Sequence, residues 1–232
     1  MLAALCYPFR RRIYAATGLP RYSTTTTVEP RPPVPFTCKT GLNPFAAPAT
    51  GLTGPGAVAT ARILALTALE EHSDSSLVVI PRPDATALFG LGEDELLDDD
   101  TAALFIPGNL DAALAYLETE LAIRQNTGAT DGRRLLLVAD CESESQRIQS
   151  LFDRHPGGAC AILLGPWTGE QAATDDEGLV DAPPALASAL PDRLPTMSRI
   201  EARDRLLSAL ARQIQDQKPA PRRRPAPRHS EL

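Results

Sequence analysis

Lysine is almost missing from this sequence: of 23 basic residues only Lys39 and Lys218 are lysines, and the rest are arginines. Aromatic residues make up 5% of the 232 residues, so a core drawn from the 43% apolar content must be built from Leu, Ala, Val and Ile. No apolar run approaches the roughly 20 residues of a membrane-spanning helix. The four cysteines (Cys6, Cys38, Cys141 and Cys160) form no CxxC pair, which argues against a zinc site or a disulfide framework and for small apolar residues in a reducing compartment. His72, His155 and His229 fall in three separate contexts and suggest neither a triad nor a metal cluster. The acidic run Glu93–Asp100 lacks the alternating ligands and turn glycine of a calcium loop and reads as a solvated loop.

Charge is unevenly spread. Residues 1–40 are +5 and residues 218–232 are +4, so a net −6 leaves −15 on residues 41–217. An acidic body makes a poor nucleic-acid platform, because phosphate contacts need a basic face. Three domains of composition follow. Residues 1–43 are a basic, Pro/Thr-rich segment, residues 44–217 an ordered body, and residues 218–232 a Pro/Arg-rich tail with the character of disorder, including Arg222-Arg-Arg224. The short apolar stretch Met1–Phe9 precedes Arg10, Arg11 and Arg12. It reads as the end of a transmembrane helix with its positive flank, as an Arg- and Ser/Thr-rich transit peptide, or as a disordered end, and these residues alone favour the last.

The body alternates strand and helix signals. Gly51-Leu-Thr-Gly-Pro-Gly56 reads as a tight loop opening a helix from Ala57 to about Glu71 that is apolar almost all round, hence buried. Ser76–Ile80 is a strand, Asp84–Phe89 a short helix and Ala103–Ile106 a weaker strand. Asn109 caps a helix whose Leu110, Ala113, Leu114, Leu117 and Leu121 share one face, followed by a polar loop over 125–132. Arg134–Ala139 is the strongest strand, ending at Asp140. Ser143 and Gln146 form a capping box ahead of a helix with Ile148, Leu151 and Phe152, and Ala159–Leu164 is the next strand. Residues 168–195 read as irregular, with a short edge strand at Leu179–Val180 and with Trp167 covering the rim of the core. Ser198 and Glu201 cap a last helix carrying Ile200, Leu207, Leu210 and Ile214. Continuous apolar strands separated by helices predict an α/β fold, a mostly parallel sheet with helices on both faces.

A working phosphate-binding loop needs G-x-x-x-x-G-K-[ST], where backbone amides cradle phosphate, the Lys reaches the terminal phosphates and the hydroxyl binds Mg²⁺. Gly51 and Gly56 have the required separation, with Gly54 between them, but the next two positions are Ala57 and Val58. Each loss removes on the order of several kcal/mol of transition-state stabilisation. Pro55 removes one amide donor as well. The alternative is a simple Gly-rich turn, since such short patterns recur by chance. An apolar strand ending in Asp140 stands where a Walker-B carboxylate would lie, with Cys141 where a catalytic Glu often follows and Glu142 close by.

The runs GLTGPGAVATARILALTAL, LFIPGNLDAALAYLETELAIRQ, RRLLLVADCESESQRI and ACAILLGPWTGE together resemble the degenerate ATPase-like module of large membrane-anchored regulators in high-GC bacteria, over about residues 50–215. Such proteins combine transmembrane helices, often a LysM domain, this module and a C-terminal transcriptional-activator domain. More distantly the runs are similar to FtsK/SpoIIIE-type and type VII secretion ATPases. The resemblance implies a P-loop NTPase-like fold without catalytic residues, working in regulation through a protein partner. Any vestigial nucleotide contact would fall to Gly51, Thr53, Gly54, Gly56 and Asp140, with no bound cofactor or metal required. It also implies a cytoplasmic place at the inner face of the cell membrane, with Arg10, Arg11 and Arg12 at the lipid surface. No complete span, LysM domain or activator domain stands beside these runs, so the resemblance implies a piece of a longer protein or a stand-alone paralogue. Weak NTP sensing without hydrolysis and a membrane-proximal adaptor are the competing expectations.

Overall fold

A computed structural model describes residues 42–92, 95, 103–128, 132–141, 144–187 and 189–217. The basic N-terminal segment with Arg10–Arg12, the tail from Lys218, Ser143 of the expected capping box, Glu142, and all of the acidic run except Glu95 lie outside the described residues.

Seven strands form one sheet: β1 (Ala49–Thr53), β2 (Ser76–Val79), β3 (Leu104–Phe105), β4 (Arg134–Asp140), β5 (Ala159–Leu164), β6 (Gln171–Thr174) and β7 (Val180–Asp181), in the order β3-β2-β4-β5-β1-β6-β7. Every pairing is parallel except that of β6 with β7. Among the described residues five helices accompany them: α1 (Ala57–Glu71), α2 (Arg82–Phe89), α3 (Leu110–Thr127), α4 (Ser145–Arg154) and α5 (Arg199–Gln217). The fold is therefore α/β, with a mostly parallel sheet flanked by helices.

Alternation along β4 explains why its sequence is apolar without a break. Leu136 and Val138 join the core under α1, α2 and α5, whereas Leu135, Leu137 and Ala139 join the core under α3 and α4. A strand covered on both faces has no position to spare for a polar residue. The all-round apolarity of α1 has the same cause: it packs on the sheet and is covered in turn by α2 and α5. Arg62 on its outer side spends its guanidinium on the carbonyls of Leu88 and Met197.

Helix α3 begins as its sequence predicts, with Asn109 Oδ1 accepting the Ala112 amide at 2.8 Å. It runs on to Thr127, three residues into the stretch expected to be loop, because Gly128 at φ 63° supplies a left-handed terminus. Ser198 caps α5 through the Glu201 amide at 3.2 Å, as expected. The buried face of α5 differs from expectation: Ala202, Leu206, Ala209 and Leu210 are inside, while Ile200 and Ile214 are 74% and 49% exposed. The small alanines let α5 lie close to α1, and the two isoleucines fall off that stripe. Glu144, whose side chain makes no cap bond, precedes α4 in the position a capping residue would take.

Two strands depart from expectation. Gly51 to Thr53 belong to β1, paired with β5 on one side and β6 on the other, so the loop is only Gly54-Pro55-Gly56. β6 falls inside the stretch expected to be irregular. Its sequence QAAT has no strand signal of its own, and parallel pairing with β1 (Gly51 with Gln171, Leu52 with Ala172, Thr53 with Ala173) supplies what the residues lack.

Candidate functional site

The connections from β1 and β2 run through α1 and α2 on one face, and those into and out of β4 run through α3 and α4 on the other. Strands β2 and β4 are neighbours whose helices depart to opposite faces, which opens a crevice at the carboxyl edge of the sheet. A cavity of about 550 Å³ lies there, lined by Thr53 and Gly54 at the end of β1, Ala57 and Val58 of α1, Asp84 of α2, Asp140 of β4, and Gly165-Pro166 after β5.

The loop itself is pinned from behind by β6. The Gly56 amide donates to the Thr174 carbonyl at 2.9 Å, the Ala57 amide donates to the Gly54 carbonyl at 3.2 Å, and Pro55 has no amide hydrogen to offer. Each glycine also answers to a close neighbour. A Cβ on Gly54, whose φ is 85°, would sit 2.6 Å from the Thr174 oxygen, and one on Gly56 would sit 2.1 Å from the Asp175 oxygen. On Gly51 it would meet Gln171 Cγ at 2.9 Å and Trp167 Cδ1 at 3.0 Å. Gly-rich spacing here tracks the approach of β6 and Trp167 to β1. Trp167 is 4% exposed and packs into the core under α3 and α4, as the rim reading anticipates.

Asp140 and Asp84 meet across the crevice. The Asp140 amide donates to Asp84 Oδ1 at 3.1 Å. Burial pushes the Asp84 carboxyl up to about 6; the amide bond opposes the rise, and the neighbouring Asp140 charge adds to it. Cys141, next in the chain, is fully buried, with its Sγ 3.1 Å from the Leu164 carbonyl. Burial and the Asp140 charge both raise its pKa, so it is a packed thiol and no nucleophile.

The chain matches no protein-family model and no curated protein.

Of the five residues predicted from sequence, the fold brings Thr53, Gly54 and Asp140 to one cavity. Gly51 is buried in β1 and Gly56 is buried against the turn after β6; neither lines it. Sequence reasoning missed Asp84. The available signal was an acid in the first turn of a helix that directly follows an apolar strand, which in a parallel sheet puts it at the carboxyl edge. Among the described residues, no Arg, Lys or His lines the cavity. Its floor is apolar (Leu52, Leu88, Leu164), and among the described lining residues the two ionisable groups are the carboxylates of Asp84 and Asp140, the former with its pKa raised to about 6.

Proposed function

We propose that residues 44–217 act as a non-catalytic, P-loop-like regulatory or interaction module whose working contact is with a protein partner. One observation carries the reading: β6 and the Asp175 turn close on the Gly54–Gly56 loop, with the Gly56 amide bonded to the Thr174 carbonyl and the bare Cα atoms of Gly54 and Gly56 against the Thr174 and Asp175 oxygens. A phosphate cradle needs those amides turned outward and a cation beside them. The P-loop-like plan is supported by the way β1 and β4, one carrying the loop and the other ending in Asp140, flank β5 and open onto the same crevice. The acid-rimmed apolar floor supports a protein side chain as the occupant, and Val58, 39% exposed at the rim, offers a contact point.

No helix among the described residues is long and apolar enough to cross a membrane. The proposal extends to a cytoplasmic domain held near the inner face of the cell membrane, with Arg10, Arg11 and Arg12 giving electrostatic contact with anionic lipid.

Titration of the purified chain with a fluorescent ATP analogue and Mg²⁺ tests the first part. A helix N-terminus without a cation supports a Kd no tighter than about millimolar. Micromolar Mg²⁺-dependent binding that Asp140→Asn abolishes would replace the reading with nucleotide sensing, and sustained hydrolysis would overturn it. A photocrosslinker at Val58 should capture a protein partner in cells, and crosslinks to nothing above background would count against the interaction role.

A further inference from the structure

Residues 42–48 carry the chain into β1 across the amino edge of the sheet. Both ends of this segment are fixed. Leu42 and Ala47 are buried in the core, and the Pro48 carbonyl accepts the Ala161 amide at 2.8 Å. Its middle is not closely packed: a cavity of about 250 Å³ is lined by Phe45 and Ala46 together with Leu135 and Ala159 at the starts of β4 and β5.

A ring of three contacts holds that middle. The Arg134 guanidinium carbon sits 4.2 Å over the centre of the Phe45 ring, a cation on an aromatic face. Phe45 meets the His72 imidazole edge-on, with ring centres 5.4 Å apart at 80°. Arg134 Nη2 lies 3.1 Å from His72 Nδ1, which closes the ring. A guanidinium has donors and no acceptor, so Nδ1 must be the acceptor and the imidazole proton must sit on Nε2. The last contact therefore exists only for a neutral His72.

His72 cannot follow a retreating partner, because its backbone is tied down on both sides. Its amide donates to the Ala68 carbonyl at 3.2 Å, and its carbonyl accepts the Ser75 amide at 3.0 Å and Ser76 Oγ at 2.8 Å. Among the described residues, the charged groups about it are Arg134 from β4, Glu71 beside it at the end of α1, and Asp74 in the exposed turn that follows. The segment across from it contributes Phe45, which is uncharged. A helix C-terminus ordinarily favours a cation. Here burial, and then the Arg134 charge, lower the His72 pKa against the opposing effect of Glu71.

We propose that Phe45, His72 and Arg134 form a proton-sensitive clasp, in which a proton taken up at His72 Nδ1 expels the Arg134 guanidinium and lets the Phe45 segment lift from the amino edge of the sheet. With that proton in place, two donors and two like charges stand face to face, and the turn of Arg134 away from His72 takes it off the Phe45 ring as well. The direction follows from the neutral form being the one the fold favours. The clasp is closed above the ordinary imidazole value of 6.5 and is lost as pH falls through the lowered value of His72. Because Leu42 and Pro48 stay anchored, the opening is local to the residues between them. The clasp lies away from the carboxyl-edge crevice and does not depend on the reading of that crevice.

Amide hydrogen exchange of the full chain at pH 7.5 and pH 5, set against His72→Gln at each pH, tests the proposal. The comparison at equal pH cancels the chemistry of exchange and the titration of Glu71 and Asp74. Gln can still accept from Arg134 but does not titrate. The Phe45 and Ala46 amides, bonded to Asn43 Oδ1 and to the Asn43 carbonyl, report the segment, and the amides of β4 report the sheet. Protection of the segment in the parent should fall about 3- to 10-fold at pH 5 relative to His72→Gln, the range for one lost hydrogen bond, while β4 is unchanged. A segment equally protected at both pH values, or one that loosens alike in parent and variant, overturns the proposal. Should His72→Gln itself be open at pH 7.5, Arg134→Met decides, since it keeps an apolar stem on Phe45 and removes the cation. Loss of the pH step in that variant, with the His72 titration seen by NMR moving upward, supports the clasp, and a step equal to the parent's sinks it.

Discussion

Replacing Gly54 by Ala asks directly whether the Gly-rich loop is shaped by packing or by a ligand. At φ 85° a side chain costs about 1–2 kcal/mol in backbone energy alone. The new Cβ would lie 2.6 Å from the Thr174 oxygen, which is backbone in a paired strand and cannot swing aside. Displacing it adds overpacking strain of about 1–3 kcal/mol. The expected loss is therefore about 2–5 kcal/mol, or a fall in Tm of roughly 4–20 °C for a domain of this size. Gly56→Ala has an ordinary φ of −83° but a closer approach, 2.1 Å to the Asp175 oxygen, and should lose about 1–3 kcal/mol from overlap alone. Two controls separate the terms. Gly128→Ala has φ 63° with nothing within 4 Å and should show only the backbone cost, about 1–2 kcal/mol. Gly108→Ala has open space and no positive φ and should fall within about 0.5 kcal/mol of the parent. Denaturant unfolding followed by fluorescence suits the measurement, since Trp167 is the only tryptophan and packs against Gly51. If Gly54→Ala and Gly56→Ala unfold like the parent while some ligand loses affinity, the glycines serve that ligand and the packing account fails.

Further perturbations follow from the same contacts. The raised Asp84 pKa means that its favourable contribution is fully present below the unfolded value near 4 and is lost as pH rises through about 6. Asp84→Asn should therefore be more stable than the parent at pH 7.5, by about 1 kcal/mol after allowing for solvent screening, with the difference closing toward pH 4; an equal gap at both pH values would exclude the buried carboxylate as its source. Leu114→Ala on α3, at a fully buried position, should cost about 2–5 kcal/mol by chemical denaturation, and a loss under 1 would mean the core beneath α3 collapses around the gap. Asn109→Ala removes the bond to the Ala112 amide and should cost about 1 kcal/mol, with Asn109→Asp retaining most of the stability.

Periodicity and strand apolarity carried most of the architecture. α1 begins and ends where its pattern says, and β5 spans the predicted residues, because buried α/β elements need long apolar stretches that no exposed segment tolerates. Caps at Asn109 and Ser198 are local chemistry and are equally legible. β6 was not, since QAAT becomes a strand only through the partner that β1 offers. The face of α5 was also hidden: small residues at Ala202 and Ala209 outrank Ile200 and Ile214 once a neighbouring helix sets the distance.

The candidate site divides along the same line. What the sequence determined by itself was chemical: Ala57 and Val58 follow Gly56 where a working phosphate-binding loop would carry a Lys and a hydroxyl, and no folding can supply those groups. That Thr53, Gly54 and Asp140 share a crevice, that Asp84 joins them, and that the Gly56 amide bonds to β6 were decided only by tertiary structure. The physical reason is distance along the chain. Asp84 and Asp140 are 56 residues apart and Gly56 and Thr174 more than a hundred, and only a sheet that brings strand ends together can make such groups neighbours.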